Sequence, residues 1–150
     1  MTGCERRDYC LIDKETISTK FDIIEKDIEF LSEFKEMKEE EFIGSYKNLQ
    51  SAKYSLLELI EACIDIAHHI IAAKGFGRAE DYREIFCLLG KRGVLDEKLA
   101  SRLGDMAGFR NLLVHRYGDI DNLRVFEIIN SELDDVLEFE KAILQYLEKE

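Results

Sequence analysis

The chain has 150 residues, of which 46% are apolar and 35% are charged, a composition typical of one soluble domain with one core. No apolar run approaches the roughly 20 residues that span a bilayer. The N-terminus also lacks the apolar stretch of a secretory signal, so the sequence predicts a cytoplasmic protein without a membrane span. A net charge of −11 at pH 7 argues against stable binding to DNA.

The predicted secondary structure is entirely helical. Residues 1–11 are expected to form a flexible leader, and residues 12–150 a single domain. Beyond the leader, apolar residues recur at spacings of three and four, and no segment alternates with the period of a strand. The absence of proline favours long helices, and glycines mark their ends. The sequence predicts an all-α bundle of four main helices plus one short helix, at about 14–38, 42–74, 79–89, 97–116 and 122–147.

Two aspartates are candidate caps for the last two predicted helices. Asp96 precedes the fourth helix, and Asp121 or Asn122 precedes the fifth. Such side chains accept hydrogen bonds from the first free backbone N–H groups of a helix.

Charge is unevenly distributed along the chain. Residues 1–73 and residues 118–150 each have a net charge of −7, whereas residues 74–117 carry nine basic against six acidic residues, a net +3. A local positive field within an acidic protein can hold a phosphate, although it does not support tight non-specific binding to a long nucleic acid.

Cysteines and histidines do not form a metal-binding pattern. No CxxC pair occurs among the four cysteines, which are predicted to be free thiols: Cys4, Cys10, Cys63 and Cys87. His68 and His69 are adjacent in the second helix and therefore point about 100° apart. Asp65 and His69 share a helix face, so they are candidates for a hydrogen-bonded pair or for a supporting role in a cleft. The sequence thus predicts neither a metal site nor a cofactor.

Four polar residues crowd the end of the fourth predicted helix: Arg110, Asn111, His115 and Tyr117. At 100° per residue, Asn111 and His115 share a face, but Arg110 and His115 lie about 140° apart. A single regular helix therefore does not direct both side chains to one point. Either the arginine stem reaches around, or the final turn distorts, or a second copy of the chain completes the site, and a symmetric dimer is the simplest arrangement.

These residue types suit RNA cleavage without a metal ion. An arginine presents a planar fork to a phosphate and offsets the charge that develops in the transition state. A histidine can take the proton from the 2′-hydroxyl of RNA or give one to the leaving 5′-oxygen. Asn111 can orient the imidazole or hydrogen-bond the substrate. The alternative is structural: surface arginines, with His115 favourably placed at a helix C-terminus.

The motif resembles that of a known family. Arg110-x4-His115 matches the Arg-x4-6-His signature of the HEPN superfamily of helical RNA-cleaving and nucleotide-binding domains, and Arg110-x4-His115-x-Tyr117 resembles the HepT toxin family. The surrounding segments are similar too, namely 65–70, 82–89, 106–111 and 117–121. The resemblance covers roughly residues 42–145.

The resemblance implies a function, a partner and a mode of regulation. It implies a homodimer with the motif helices lining a cleft between subunits, and Arg110 and His115 as the catalytic pair of an endoribonuclease toxin. The implied partner is a nucleotidyltransferase antitoxin of the MntA type, which attaches AMP to the tyrosine matching Tyr117. The alternative hypothesis, motivated by the acidic surface, is a non-catalytic HEPN subunit that binds or regulates a nucleotidyltransferase.

Overall fold

The computed structural model describes residues 11–115 and 121–150. Within these ranges the chain is helical and contains no strand, which confirms the predicted all-α class. The predicted leader falls almost entirely on residues 1–10, outside the described ranges, and so do Cys4 and Cys10. In chain order, the described helices are α1 (Lys14–Ser32), a 3₁₀ turn (Glu33–Glu36), α2 (Glu39–Ile43), α3 (Tyr46–Lys74), α4 (Tyr82–Lys91), α5 (Glu97–His115), α6 (Asn122–Ser131) and α7 (Leu133–Glu148).

Three of the predicted helices are shorter or divided. The first ends at Ser32 rather than near residue 38, and continues only as the 3₁₀ turn. The second begins at Tyr46 because Ser45 caps it, accepting a hydrogen bond from the Asn48 N–H at 3.2 Å. The last divides at Glu132, whose backbone leaves the helical region and whose carboxylate pairs with Arg124. The described residues thus form seven α-helices, because the first predicted helix ends early and the last is divided, within the predicted all-α class.

The predicted capping residues are confirmed. Asp96 accepts a hydrogen bond from the Leu99 N–H at 3.4 Å, and Asp121 accepts one from the Leu123 N–H at 3.0 Å. Gly75 ends α3 in the left-handed region at φ 65°, a conformation that glycine adopts without steric cost.

The core is built around α3, the longest helix. Thirteen of its residues are buried, distributed around the helix rather than along one stripe. One side packs against α1, and the other packs against α4 and α5. Cys63 lies in this core as a free thiol, and Cys87 is also free. Within the described ranges, none of the helices has the length and apolar character needed to cross a bilayer.

Close packing between α4 and α5 positions the candidate site. A Cβ atom at Gly104 of α5 would lie 3.1 Å from Cγ of Arg83 and 3.4 Å from its carbonyl oxygen. Glycine therefore lets α4 approach α5 closely, and Arg83 lies along α5, where it pairs with Asp105. The contact brings Tyr82, the first residue of α4, against the segment of α5 that carries Arg110.

Candidate active site

Side chains from three helices hold the guanidinium of Arg110. Its Nη2 donates to Oε2 of Glu61 in α3 at 3.1 Å, and its Cζ lies 5.2 Å from the ring centroid of Tyr82 in α4. Its Nη1 donates at 3.4 Å to Oδ1 of Asn111, the next residue of α5. An ion pair and a cation–π contact together restrict the long arginine side chain, which is 19% exposed. The guanidinium is thus pre-organised at the protein surface.

The Nε of Arg110 differs from the two terminal nitrogens of the guanidinium, each of which donates a hydrogen bond. The Nε is buried and has no hydrogen-bond partner among the described residues. Leaving a buried donor unpaired costs roughly 1–3 kcal/mol, and in native structures an ordered water commonly satisfies such a group.

His115 is the last residue of α5, and its side chain is exposed. Because α5 remains helical through His115, the final turn is not distorted within the described part of the chain. Nor does Arg110 reach around the helix, since its guanidinium is directed toward Glu61 and Tyr82. No hydrogen bond joins Arg110 to His115 in residues 11–115. Within the described residues, a single chain therefore does not bring the side chains of Arg110 and His115 together.

Asp65 and His69 do not pair with each other as the helix face suggested. Asp65 forms an ion pair with Lys20 at 2.9 Å, and His69 Nε2 accepts a hydrogen bond from the Asp13 N–H at 2.8 Å. Asp13 is the N-cap of α1 and Lys20 lies within that helix, 56 and 45 residues away in sequence, so a local argument along α3 does not find them. The side chains of Asp65 and His69 link the α1 segment to α3, and among the described residues the hydrogen bonds and ion pair of Arg110 involve neither of them.

Sequence reasoning missed two of the residues that hold Arg110. Glu61 lies one helical turn before Asp65, and nothing in the sequence distinguishes it from the other acidic residues of α3, Glu58 and Asp65. Tyr82, the first residue of α4, is half-buried: it packs against the core and places its ring against the guanidinium. Tyr117, the predicted AMP acceptor, lies outside the described residues.

An acidic groove lies between α1 and α3, next to Glu61. It is lined by Lys20, Ile23, Tyr54, Leu57, Glu58, Glu61, Ala62 and Asp65. Beneath it, Asp27 is buried, and this burial together with the nearby Glu58 carboxyl raises the pKa of Asp27 to about 7. The described residues include no cluster of three or more histidine, cysteine or acidic side chains arranged to hold a metal ion.

A second pocket, of about 340 Å³, shares Tyr82 and Asn111 with the surroundings of Arg110. We call it the Tyr82 pocket, and it is lined by His68, Ala79, Glu80, Asp81, Tyr82, Ile85 and Asn111. The sequence offered no reason to place His68 in a site, because the other residues that line this pocket come from distant parts of the chain.

Comparison with known proteins gives a consistent result. The family model described as "Ribonuclease HepT-like" matches residues 24–143. The tRNA nuclease HepT of Aphanizomenon flos-aquae is 32% identical over 137 residues, which cover 91% of this chain and 92% of that protein. The mRNA nuclease HepT of Shewanella oneidensis is 33% identical over 85 residues, covering 57% of this chain and 64% of that protein.

The fold is similar to that of solved toxin structures. The tri-AMPylated HEPN toxin of Shewanella oneidensis, in complex with its MNT antitoxin, superimposes with a TM-score of 0.79 at 27% identity, covering 87% of this chain and 97% of that chain. The family match over residues 24–143 and the full-length similarity to a HepT nuclease show that this chain belongs to the HepT-like ribonuclease family of HEPN proteins.

Proposed function

We propose that this protein is the toxin of a HepT/MntA-type toxin–antitoxin system and that it is a metal-independent endoribonuclease. The observation that carries the proposal is the held guanidinium of Arg110, on the same helix end that exposes Asn111 and His115. The names of the related nucleases support RNA as the substrate class.

Arg110 and His115 have complementary roles in the proposed reaction. The 2′-oxygen of one nucleotide bonds to the adjacent phosphorus while the bond from phosphorus to the 5′-oxygen breaks. Arg110 stabilises the negative charge that develops on the phosphoryl oxygens. His115 takes the proton from the 2′-hydroxyl or delivers one to the leaving 5′-oxygen. No metal ion is needed for either role.

The proposed active unit is a homodimer. Within one chain, Arg110 and His115 project about 140° apart from a regular helix. Two copies related by a twofold axis bring the α5 ends together, so that His115 of one copy faces Arg110 of the other across a cleft.

The supporting residues differ in their proposed roles. Asn111 shares the exposed face of α5 with His115 and accepts a hydrogen bond from Arg110, so it is assigned to substrate binding. Asp65 and His69, which were expected to support the cleft, are assigned instead to anchoring α1.

The proposed regulator is a nucleotidyltransferase antitoxin that adds AMP to Tyr117. Support comes from the similarity to the tri-AMPylated HEPN toxin in complex with an MNT antitoxin. AMP groups two residues beyond His115 add negative charge and bulk beside the proposed cleft, which opposes the entry of an RNA phosphate. Mass spectrometry of the protein co-expressed with its antitoxin tests this assignment: increments of AMP should map to Tyr117 and be absent from Tyr117→Phe.

RNA cleavage by the purified protein is the central test. We expect His115→Ala and Arg110→Ala each to lower kcat by roughly 10²–10³-fold, since each removes a group that acts on the transition state. Arg92→Ala is the matched control, because Arg92 lies over Phe76 rather than in the site. EDTA should leave the wild-type rate unchanged.

Three outcomes would contradict the proposal in different ways. Full activity of His115→Ala would show that His115 is not a catalytic residue. Loss of activity on chelation would show that the enzyme requires a metal ion. No cleavage by the unmodified wild type, with correct folding, would favour the alternative of a non-catalytic subunit that regulates a nucleotidyltransferase.

A further inference from the structure

The Tyr82 pocket is a second recess that shares two residues with the surroundings of Arg110. Tyr82 contacts the guanidinium through its ring, and Asn111 accepts a hydrogen bond from it, while both also line the pocket. A ligand in the pocket is therefore adjacent to any phosphate held by Arg110. In single-stranded RNA, the group adjacent to a phosphate is the sugar and base of a flanking nucleotide.

The charges of the pocket determine which part of a nucleotide it accepts. Glu80 and Asp81 line it, and neither lysine nor arginine does. Two carboxylates repel a phosphate, so the phosphate remains with Arg110 and the pocket receives an uncharged group. At about 340 Å³ the pocket is large enough for a nucleobase, at the small end of ligand sites.

The lining side chains offer the contacts that bases use. The exposed imidazole of His68 and the ring of Tyr82 are flat surfaces of the kind on which unpaired bases stack. The carboxylates accept hydrogen bonds from an exocyclic amine, and Ile85 provides an apolar wall. Asn111 uses its Oδ1 toward Arg110, which leaves its amide N–H groups to donate to a ring nitrogen or carbonyl of a base.

We infer that the Tyr82 pocket is a base-binding subsite for the nucleotide flanking the cleaved phosphate, with preference for a base that carries an exocyclic amine. The inference rests on the proposed RNA cleavage. It adds that this pocket gives the nuclease a preference for certain bases next to the cleaved bond. Adenine, cytosine and guanine meet the requirement, whereas uracil has no amine to donate to Glu80 or Asp81.

Nucleotide binding tests the pocket independently of cleavage. Using the full-length His115→Ala protein, NMR titration with AMP, CMP, GMP and UMP should shift the ring signals of His68, and UMP should bind several-fold more weakly than the other three. Glu80→Gln should reduce the difference between UMP and the amine-bearing nucleotides. Glu148→Gln removes a carboxylate that lines a different pocket, and it should leave the difference unchanged.

Cleavage kinetics provide the second test. On RNA oligonucleotides that vary at the nucleotides flanking the cleaved bond, His68→Ala should raise KM about 5–10-fold with a smaller change in kcat, because it removes stacking in the pocket rather than a group at the phosphate. It should also weaken the preference against uracil. Glu148→Gln should preserve both the KM and the preference.

The outcomes separate this inference from the proposed function. If the wild type does not cleave RNA, the titration still tests whether the Tyr82 pocket binds a base. Shifts of the His68 signals support base binding, and their absence overturns it. If the wild type cleaves RNA but His68→Ala and Glu80→Gln change neither KM nor base preference, the nuclease assignment stands and the subsite is wrong.

Discussion

At the scale of single residues, the central feature is that Arg110 is held by residues distant in sequence. Glu61 is 49 positions away, and its carboxylate is 45% exposed, so the ion pair alone contributes little to stability in water. Its importance is geometric. A guanidinium held in place before substrate arrives does not have to be ordered during the reaction.

Glu61 is therefore expected to be a positioning residue. Glu61→Ala should lower kcat about tenfold, with a smaller effect on KM, because the guanidinium loses one of the contacts that orient it. Glu61→Gln should recover most of the activity, since the amide oxygen still accepts a hydrogen bond from Arg110. Steady-state cleavage kinetics, with circular dichroism to confirm folding, measure both effects.

The matched control is Asp65→Ala. It removes the next carboxylate along α3, which pairs with Lys20 rather than with Arg110, and so it should retain the wild-type kcat. Equal losses of kcat in Glu61→Ala and Asp65→Ala would show that general negative charge along α3, and not the contact with Arg110, is what matters.

The candidate residues on α5 were predictable from the sequence, but their surroundings were not. Arg110, Asn111 and His115 lie close together in sequence, and helix geometry alone predicts which of them share a face. Glu61 and Tyr82 approach only because α3 and α4 pack against α5. The possible pairing of Asp65 with His69 could not be judged from the sequence for the same reason, since Lys20 of α1 pairs with Asp65 and the N-cap residue Asp13 donates to His69.

At the scale of secondary-structure elements, the contact between α4 and α5 depends on a glycine. Gly104 and Gly108 lie one turn apart on α5, and Arg83 runs across both. At Gly104 a side chain meets the backbone and stem of Arg83, but at Gly108 the nearest atom is the flexible end of Arg83 at 3.8 Å. Two glycines of the same helix therefore have different roles.

Substitution at the two positions should have opposite effects on stability. Gly104→Leu should lower the free energy of unfolding by about 1–3 kcal/mol, because the added side chain forces α4 away. Gly108→Ala should raise it by about 0.5–1 kcal/mol, because alanine favours the helix and meets no steric barrier. Urea denaturation followed by circular dichroism measures both, and similar destabilisation by both changes would contradict the packing argument.

Several helix ends were predictable from the sequence, but the break at Glu132 was not. The N-caps Asp96 and Asp121 and the terminal Gly75 carry strong local signals. No proline or glycine near Glu132 indicates a helix break in the sequence. At this break, the Glu132 carboxylate pairs with Arg124 of the preceding helix. The spacing of apolar residues along the sequence does not reveal an ion pair of this kind.

At the scale of the whole molecule, the acidic character extends into the interior. Asp27 and Glu140 are buried, and in each case burial is the main cause that raises the pKa of the carboxyl to about 7, with Glu58 and Glu25 respectively adding to it. The folded protein therefore keeps protons on these groups that the unfolded chain releases at lower pH. Stability from this source is fully present below about pH 4 and decreases as the pH rises to about 7.

Asp27→Asn should reduce this pH dependence. At about pH 8 the variant should be more stable than the wild type by roughly 1–3 kcal/mol, because an amide carries no charge to bury, whereas at about pH 5 the difference should be smaller. Urea denaturation across this range provides the measurement. The exposed Asp22→Asn is the control on the same helix, and a stabilisation that does not grow with pH would contradict the assignment.

The helix that presents the guanidinium is also a structural centre of the protein. Leu103, Met106 and Phe109 of α5 are buried, the last of them adjacent to Arg110. Local opening of this segment would expose the hydrophobic core, so it belongs to the same cooperative unit as the global fold. Residues 110–115, by contrast, are half-buried or exposed, so an agent can cover or chemically alter this end of α5 without disturbing the core residues that precede it.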